Sequence, residues 1–131
     1  MIVLDTHVWL WWLSNPEKLS EPAAKRIDNE TKTGHVYISS ISAWEVAMLV
    51  AKGRLELSID VSDWLAASES FPFIKFIPVD NRIALQSVRL PGVMHNDPAD
   101  RIIIATALVM NASVVSADRK IITYPAVKCI W

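Results

Sequence analysis

The chain opens on an apolar run, Met1-Ile2-Val3-Leu4, that stops at Asp5. A run without a polar break suits a short strand buried on both faces, so residues 2–5 are expected to form one. Thr6 to Ser14 carries apolar positions at helical spacing, and Asn15-Pro16 interrupts it. Ser20 is expected to cap a helix over Glu21–Glu30, with Pro22 in its first turn. Gly34 releases the chain into a strand, Val36–Ser39. Ser42 and Glu45 read as a capping box opening a helix that runs to Lys52 and stops at Gly53. Further helices are expected over 61–70 after Asp60, over Asn81–Leu90 after Asp80, and over Pro98–Met110 after Asp97. Phe73–Val79, Val114–Ser116 and Val127–Trp131 complete the strands, and a short helix follows Asp118.

Strands thus alternate with helices, and no Asn-Gly or Asp-Gly pair marks a hairpin. Short apolar strands in this order imply a parallel sheet covered on both faces. The expected fold is α/β, a three-layer α/β/α sandwich with a central parallel sheet. No repeat, low-complexity tract or linker divides it, and 131 residues fit a single domain, 1–131. Sheets of this kind bind ligands beyond the carboxyl ends of their strands, near a switch in strand order.

At 52% hydrophobic the chain is apolar for a soluble domain, yet no stretch reaches the roughly 18 residues needed to span a bilayer. The start lacks a basic segment of the signal-peptide kind, so a cytoplasmic location is expected. One cysteine, Cys129, makes no internal disulfide and excludes a Cys-rich zinc site. The net charge of −1 advertises no polyanion partner. Basic residues do recur in groups, Lys25-Arg26, Lys52 with Arg54, and Arg119-Lys120, which leaves room for a local basic rim. Six tryptophans are anchors for a core or an interface; Trp9 and Trp12 share a helix face, whereas Trp11 points elsewhere.

Candidate chemistry lies in five acids placed where local structure changes: Asp5, Glu45, Asp97, Asp100 and Asp118. Each has a local structural role open to it. Asp5 can cap the first helix, unless Thr6 does so and frees Asp5 to face the crevice. Glu45 can complete the capping box, but it is the only charge between Ile41 and Ala51, and a buried carboxylate needs a partner. Asp97 before Pro98 suits an N-cap, and Asp100 suits the first helical turn. Residues 102–110 are apolar apart from Thr106, so this helix is expected at the centre, with its start against the sheet edge. His95 reads as a loop or supporting group. Asp118 is by itself an ordinary cap.

Taken together the acids mean more. Two ionised carboxylates about 4 Å apart repel by roughly 4 kcal/mol at an effective dielectric near 20. Convergent acids therefore hold a proton or a cation. Oxygen donors favour Mg²⁺ or Mn²⁺, and such an ion activates water for attack on a phosphodiester. Gly34, Gly53 and Gly92 are too far apart for a P-loop or dinucleotide fingerprint.

Four motifs in order, Leu4-Asp5-Thr6-His7, Ser42-Ala43-Trp44-Glu45, His95-Asn96-Asp97-Pro98-Ala99-Asp100-Arg101 and Val115-Ser116-Ala117-Asp118, resemble those of PIN-domain ribonucleases. Within that group the chain is similar to the VapC-type toxins of bacterial toxin–antitoxin pairs. The resemblance implies a Mg²⁺-dependent endoribonuclease with a four-acid site of Asp5, Glu45, Asp100 and Asp118. It implies Asp5 and Asp100 as principal metal ligands, with Glu45 and Asp118 supporting. Thr6 and Ser116 match hydroxyl residues lining such sites, and Asp97 belongs to the pattern as a neighbour. It further implies an RNA substrate, a small antitoxin protein as partner, and a homodimer. The alternatives are a non-catalytic PIN-like binding domain, whose quartet should be broken where this one is intact, and a non-catalytic receiver-like domain, for which Lys128 would supply the late-strand lysine. The latter would need an acid after the strand at Val36–Ser39, where Ser39-Ser40 stands instead.

Overall fold

The computed structural model describes all 131 residues. Five strands, β1 (Ile2–Leu4), β2 (Val36–Ser39), β3 (Ile74–Ile77), β4 (Ser113–Val115) and β5 (Cys129–Ile130), form one parallel sheet in the order β3-β2-β1-β4-β5. Seven helices connect them: α1 (Thr6–Ser14), α2 (Glu21–Thr33), α3 (Ser40–Ala51), α4 (Val61–Ser70), α5 (Asn81–Val88), α6 (Pro98–Met110) and α7 (Arg119–Ile122). No helix is long and apolar enough to cross a membrane.

The period of two along each strand sorts its side chains between two cores. Ile2 and Leu4 of β1, Val36 and Ile38 of β2 and Val115 of β4 join one cluster with Val8, Trp9 and Ile27. Val3 and Val114 turn to the other, with Ile103, Ile104 and Ile121. Both faces are therefore buried, as the unbroken apolar runs require, and each fully buried Ile, Leu or Val contributes about 1.5–3 kcal/mol. Trp9 is fully buried and packs on Trp64 (4.6 Å between ring centroids) and Phe76 (5.5 Å). Trp12 meets Phe73, and Trp11 meets Trp131. Each tryptophan of α1 thus packs against another aromatic ring of the chain.

The expected α/β/α sandwich and the order of elements stand, and the boundaries shift. α2 continues to Thr33, and β3 is shorter than Phe73–Val79, ending before Pro78, which has no N–H for a ladder. β4 begins one residue early, and β5 is reduced to Cys129–Ile130. The larger correction concerns α3. The capping box of Ser42 with Glu45 does not form, because β2 runs into α3 with no loop and Ser39 is the N-cap, its Oγ accepting from the Ile41 N–H at 3.2 Å. Ser42 lies inside the first turn, buried, and Glu45 in the second. Nor is α3 buried on most sides: only Ser42 and Val46 are buried, and Trp44 is 54% exposed. At its end Gly53 adopts φ +69° and Arg54 N–H returns to the Leu49 carbonyl, the left-handed stop expected there.

α6 is central as expected. It packs against β1, β2, β4, α3 and α5, and Ala99 and Ile103–Ala107 are buried. Its C-cap is Asn111 in the left-handed conformation (φ 55°), one of the few residues other than glycine that adopts it readily.

Candidate active site

The strand order reverses between β1 and β4, since the chain leaves β1 toward β2 and β3 and returns to β4 on the other side. The crevice of a parallel sheet opens beyond the carboxyl ends at such a point. A cavity of about 390 Å³ lies there, lined by Asp5, His7, Trp11, Glu45, Asp97, Asp100, Ala117 and Asp118. All five acids singled out in the sequence line this one cavity, from α1, α3, α6 and the β4–α7 turn.

Asp5 follows β1 and is 6% exposed. Its Oδ1 accepts from the Thr6 N–H at 2.8 Å, capping α1, and its Oδ2 accepts from the Ser116 hydroxyl at 2.7 Å. The two roles considered for Asp5, cap and crevice acid, are combined in one side chain. Burial pushes its carboxyl up from the ordinary 3.8, against the pull of the Ser116 and Thr6 hydrogen bonds. Thr6 is not the cap; its hydroxyl donates to Ser42 Oγ at 2.9 Å, pinning the start of α1 to the first turn of α3. That pin fixes α3 beside the cavity that Glu45 enters. Ser116 also accepts from the Asp118 N–H at 3.0 Å, so one hydroxyl ties the end of β1 to the turn after β4. Asp118 caps α7, with Oδ1 2.9 Å from the Lys120 nitrogen.

Asp97 caps α6: its Oδ1 accepts from the Asp100 N–H at 3.0 Å. Asp100 Oδ2 lies 2.6 Å from His95 Nε2. Its carboxyl is pushed up to about 6, first by burial and then by the charges of Asp5 and Asp97, although His95 draws it down. The loop before α6 is held by Arg101, which donates to the carbonyls of Ser87 (2.9 Å), Met94 (3.1 Å) and His95 (3.4 Å). This clamp delivers His95 to Asp100.

His95, Asp100 and Asp118 each bring one ligand atom within 4.8 Å of the others. Asp5 and Glu45 line the same cavity outside this closest group. Carboxylates raised by burial and mutual charge, with an imidazole beside them, suit a divalent cation: it would offset the repulsion and use the donors present. From sequence His95 reads as a loop or supporting group, and the structure sets its ring among the candidate ligands. His7 and Trp11 were not recognised as cavity residues; their four-residue spacing on α1, with Asp5 just ahead, was the available signal.

The lysine that a receiver-like site would need is elsewhere. Lys128 precedes β5 and lines a separate cavity with Asn111 and Ser113, toward the amino ends of the strands. β2 ends in buried Ser39, which caps α3.

Comparison with known proteins agrees with this arrangement. The family described as PIN domain matches residues 2–126. Ribonuclease VapC22 of Mycobacterium tuberculosis (strain ATCC 25618 / H37Rv) is 30% identical over 132 residues, covering 99% of this chain and 98% of that protein. Among solved structures, VapBC2 from Rickettsia felis bound to a promoter DNA fragment has a TM-score of 0.70 at 17% identity, over 98% of this chain and 97% of that one. A toxin–antitoxin complex from Klebsiella pneumoniae has a TM-score of 0.66 at 21% identity, over 97% and 95%. The structural likenesses speak for the fold, and the family match with the near-full-length relative speaks for descent: this chain belongs to the PIN domain family.

Proposed function

We propose that residues 1–131 form one PIN-like domain acting as a Mg²⁺-dependent endoribonuclease toxin, with Mn²⁺ able to substitute, restrained by a small antitoxin protein. The observation that carries this reading is one cavity at the switch point, lined by five acids, with His95 within 4.8 Å of Asp100 and Asp118. The named ribonuclease relative and the toxin–antitoxin structural neighbours support the substrate and the partner.

In this reading Asp5 and Asp100 would be the principal holders of the cation, assisted by Asp118 and Glu45, with His95 as a further donor. A bound divalent ion supplies Lewis acidity, lowering the pKa of water and neutralising charge on a phosphodiester. The chain's own residues do the positioning. Thr6 N–H and Ser116 O–H leave Asp5 one fixed orientation. Asp97 fixes the first turn of α6 and so the Asp100 backbone. Glu45, held on α3 by the Thr6–Ser42 link, orients the attacking water. Water adds to phosphorus, one P–O ester bond breaks, and the departing oxygen leaves as a hydroxyl. A cytoplasmic location and a homodimer complete the reading; Trp44, exposed on α3, is the type of aromatic anchor an interface uses.

Purified wild type, Asp5→Asn and Asp100→Asn proteins incubated with total RNA, with Mg²⁺ or with EDTA, test it. Wild type with Mg²⁺ should cleave, and the other combinations should not. Equal cleavage by wild type and variants, or cleavage insensitive to EDTA, would overturn it.

A further inference from the structure

His7 and Trp11 form a wall shared by two cavities. On one side is the acidic cavity. On the other is a groove of about 270 Å³ between α1, the end of α3 and the segment after it. Leucines from all three segments line that groove, together with Lys18, Arg54 and Glu56.

The two cations are the informative feature. Lys18 and Arg54 are exposed and belong to none of the chain's ion pairs, which join Met1, Arg26 and Glu30, Lys32 and Asp28, and His95 and Asp100. Two cations face one carboxylate here, beside a cavity whose five acids repel any polyanion. A phosphodiester strand entering that cavity needs positive charge close by. The wall itself is aromatic: the His7 and Trp11 rings lie 6.2 Å apart at 53°, and Trp11 is braced from behind by Trp131 at 5.8 Å. His7 is exposed and Trp11 half-buried, and such rings at the rim of a charged groove suit a base, which stacks on any flat π-face without regard to sequence.

We propose that this groove is the subsite for the nucleotide flanking the scissile phosphate of a single-stranded RNA. Trp11 and His7 take the base, and Lys18 and Arg54 take the adjoining phosphates. The proposal rests on the ribonuclease reading and names where the substrate lies. It accounts for binding of a polyanion by a chain with net charge −1, because the cations needed are concentrated beside the cavity.

The test separates binding from cleavage. In Asp100→Asn protein, a fluorescently labelled single-stranded RNA oligomer of mixed sequence is titrated at several salt concentrations and followed by anisotropy. Adding Lys18→Ala with Arg54→Ala should raise Kd about tenfold and lower the slope of log Kd against log salt by about 1.4, two contacts at about 0.7 each. Trp11→Phe should weaken binding less and leave the slope unchanged. Both cations are exposed, so an unchanged melting curve is expected to confirm folding of the double variant. Unchanged Kd and slope in the double variant, or no binding by the Asp100→Asn parent, overturn the proposal. If wild type cleaves RNA but the double variant binds normally, the subsite alone fails; if wild type cleaves no RNA, the ribonuclease reading fails with it.

Discussion

Asp5 and Asp60 do the same local work with opposite electrostatic results. Each is the N-cap of a helix, and each accepts a backbone N–H, Asp5 from Thr6 at 2.8 Å and Asp60 from Ser62 at 3.0 Å. Each also accepts a serine hydroxyl, from Ser116 and Ser62 respectively. Yet the Asp60 carboxyl lies below its ordinary value, held there by Ser62, whereas that of Asp5 is pushed up by burial. The hydrogen bonds are alike; solvent is what differs. Water surrounds Asp60, while Asp5 sits at the sheet's switch point with Asp100 and Asp118 close enough to act on it or be acted on by it. A cap at the surface is a stabilising device. The same cap inside a cavity of acids is a charge the fold holds at a cost, and such costs mark functional sites.

The sharpest way to test this contrast is activity. Asp5→Asn and Asp100→Asn should each lower metal-dependent RNA cleavage about a hundredfold or more, the scale for losing a preorganised charge at a reacting centre. Asp60→Asn should cleave as wild type does. Comparable losses at Asp5 and Asp60 would erase the distinction.

Stability comes next. The Asp100 carboxyl rises from 3.8 to about 6 on folding, so the fold binds that proton more tightly than the open chain does. Its contribution is complete below 3.8 and is lost as pH rises through about 6. In EDTA, Asp100→Asn should therefore flatten this decline and unfold at higher denaturant than wild type at neutral pH. A variant less stable than wild type there would show that Asp100 is not the strained group.

Smaller effects follow at the caps. Asp97→Asn should lose about 1 kcal/mol or less, since Asn also caps well, and keep substantial activity. Activity as low as that of Asp100→Asn would make Asp97 a participant in the chemistry. Asp60→Asn should change least. Its carboxyl is lowered on folding, so its contribution is present above the ordinary 3.8 and lost as pH falls through the lower folded value. Only the acid limb of an unfolding profile should respond, and a shift at neutral pH would contradict the assignment.

Much of the fold was legible in the chain because its signals are local. Asp97-Pro98, Ser20 with Pro22, and Gly53 fix helix ends through local capping bonds and backbone geometry, and each is observed as read. The reading of α3 failed for a related reason. Ser39, Ser40 and Ser42 all suit a cap, and the choice fell to the strand: β2 pairs with β3 as far as Ser39, so the helix starts there. The apolar sequence of α3 gave no hint of its exposure either, because exposure depends on what packs against it. α6 is no more apolar, and its place between the sheet and α5 makes it central.

The acids divide the same way. Their order along the chain, each where an element begins, was enough to select them and to suggest a cation. That order could not say that Asp5 would be both cap and cavity acid, since one carboxylate has two oxygens and the second found Ser116 across 111 residues. Nor could it bring His95 to Asp100, which needed Arg101 to hold the intervening loop by three carbonyls. Periodicity and capping are properties of neighbouring residues and are written in the sequence. Desolvation and charge coupling depend on which distant residues exclude water together, and the tertiary structure alone decided those.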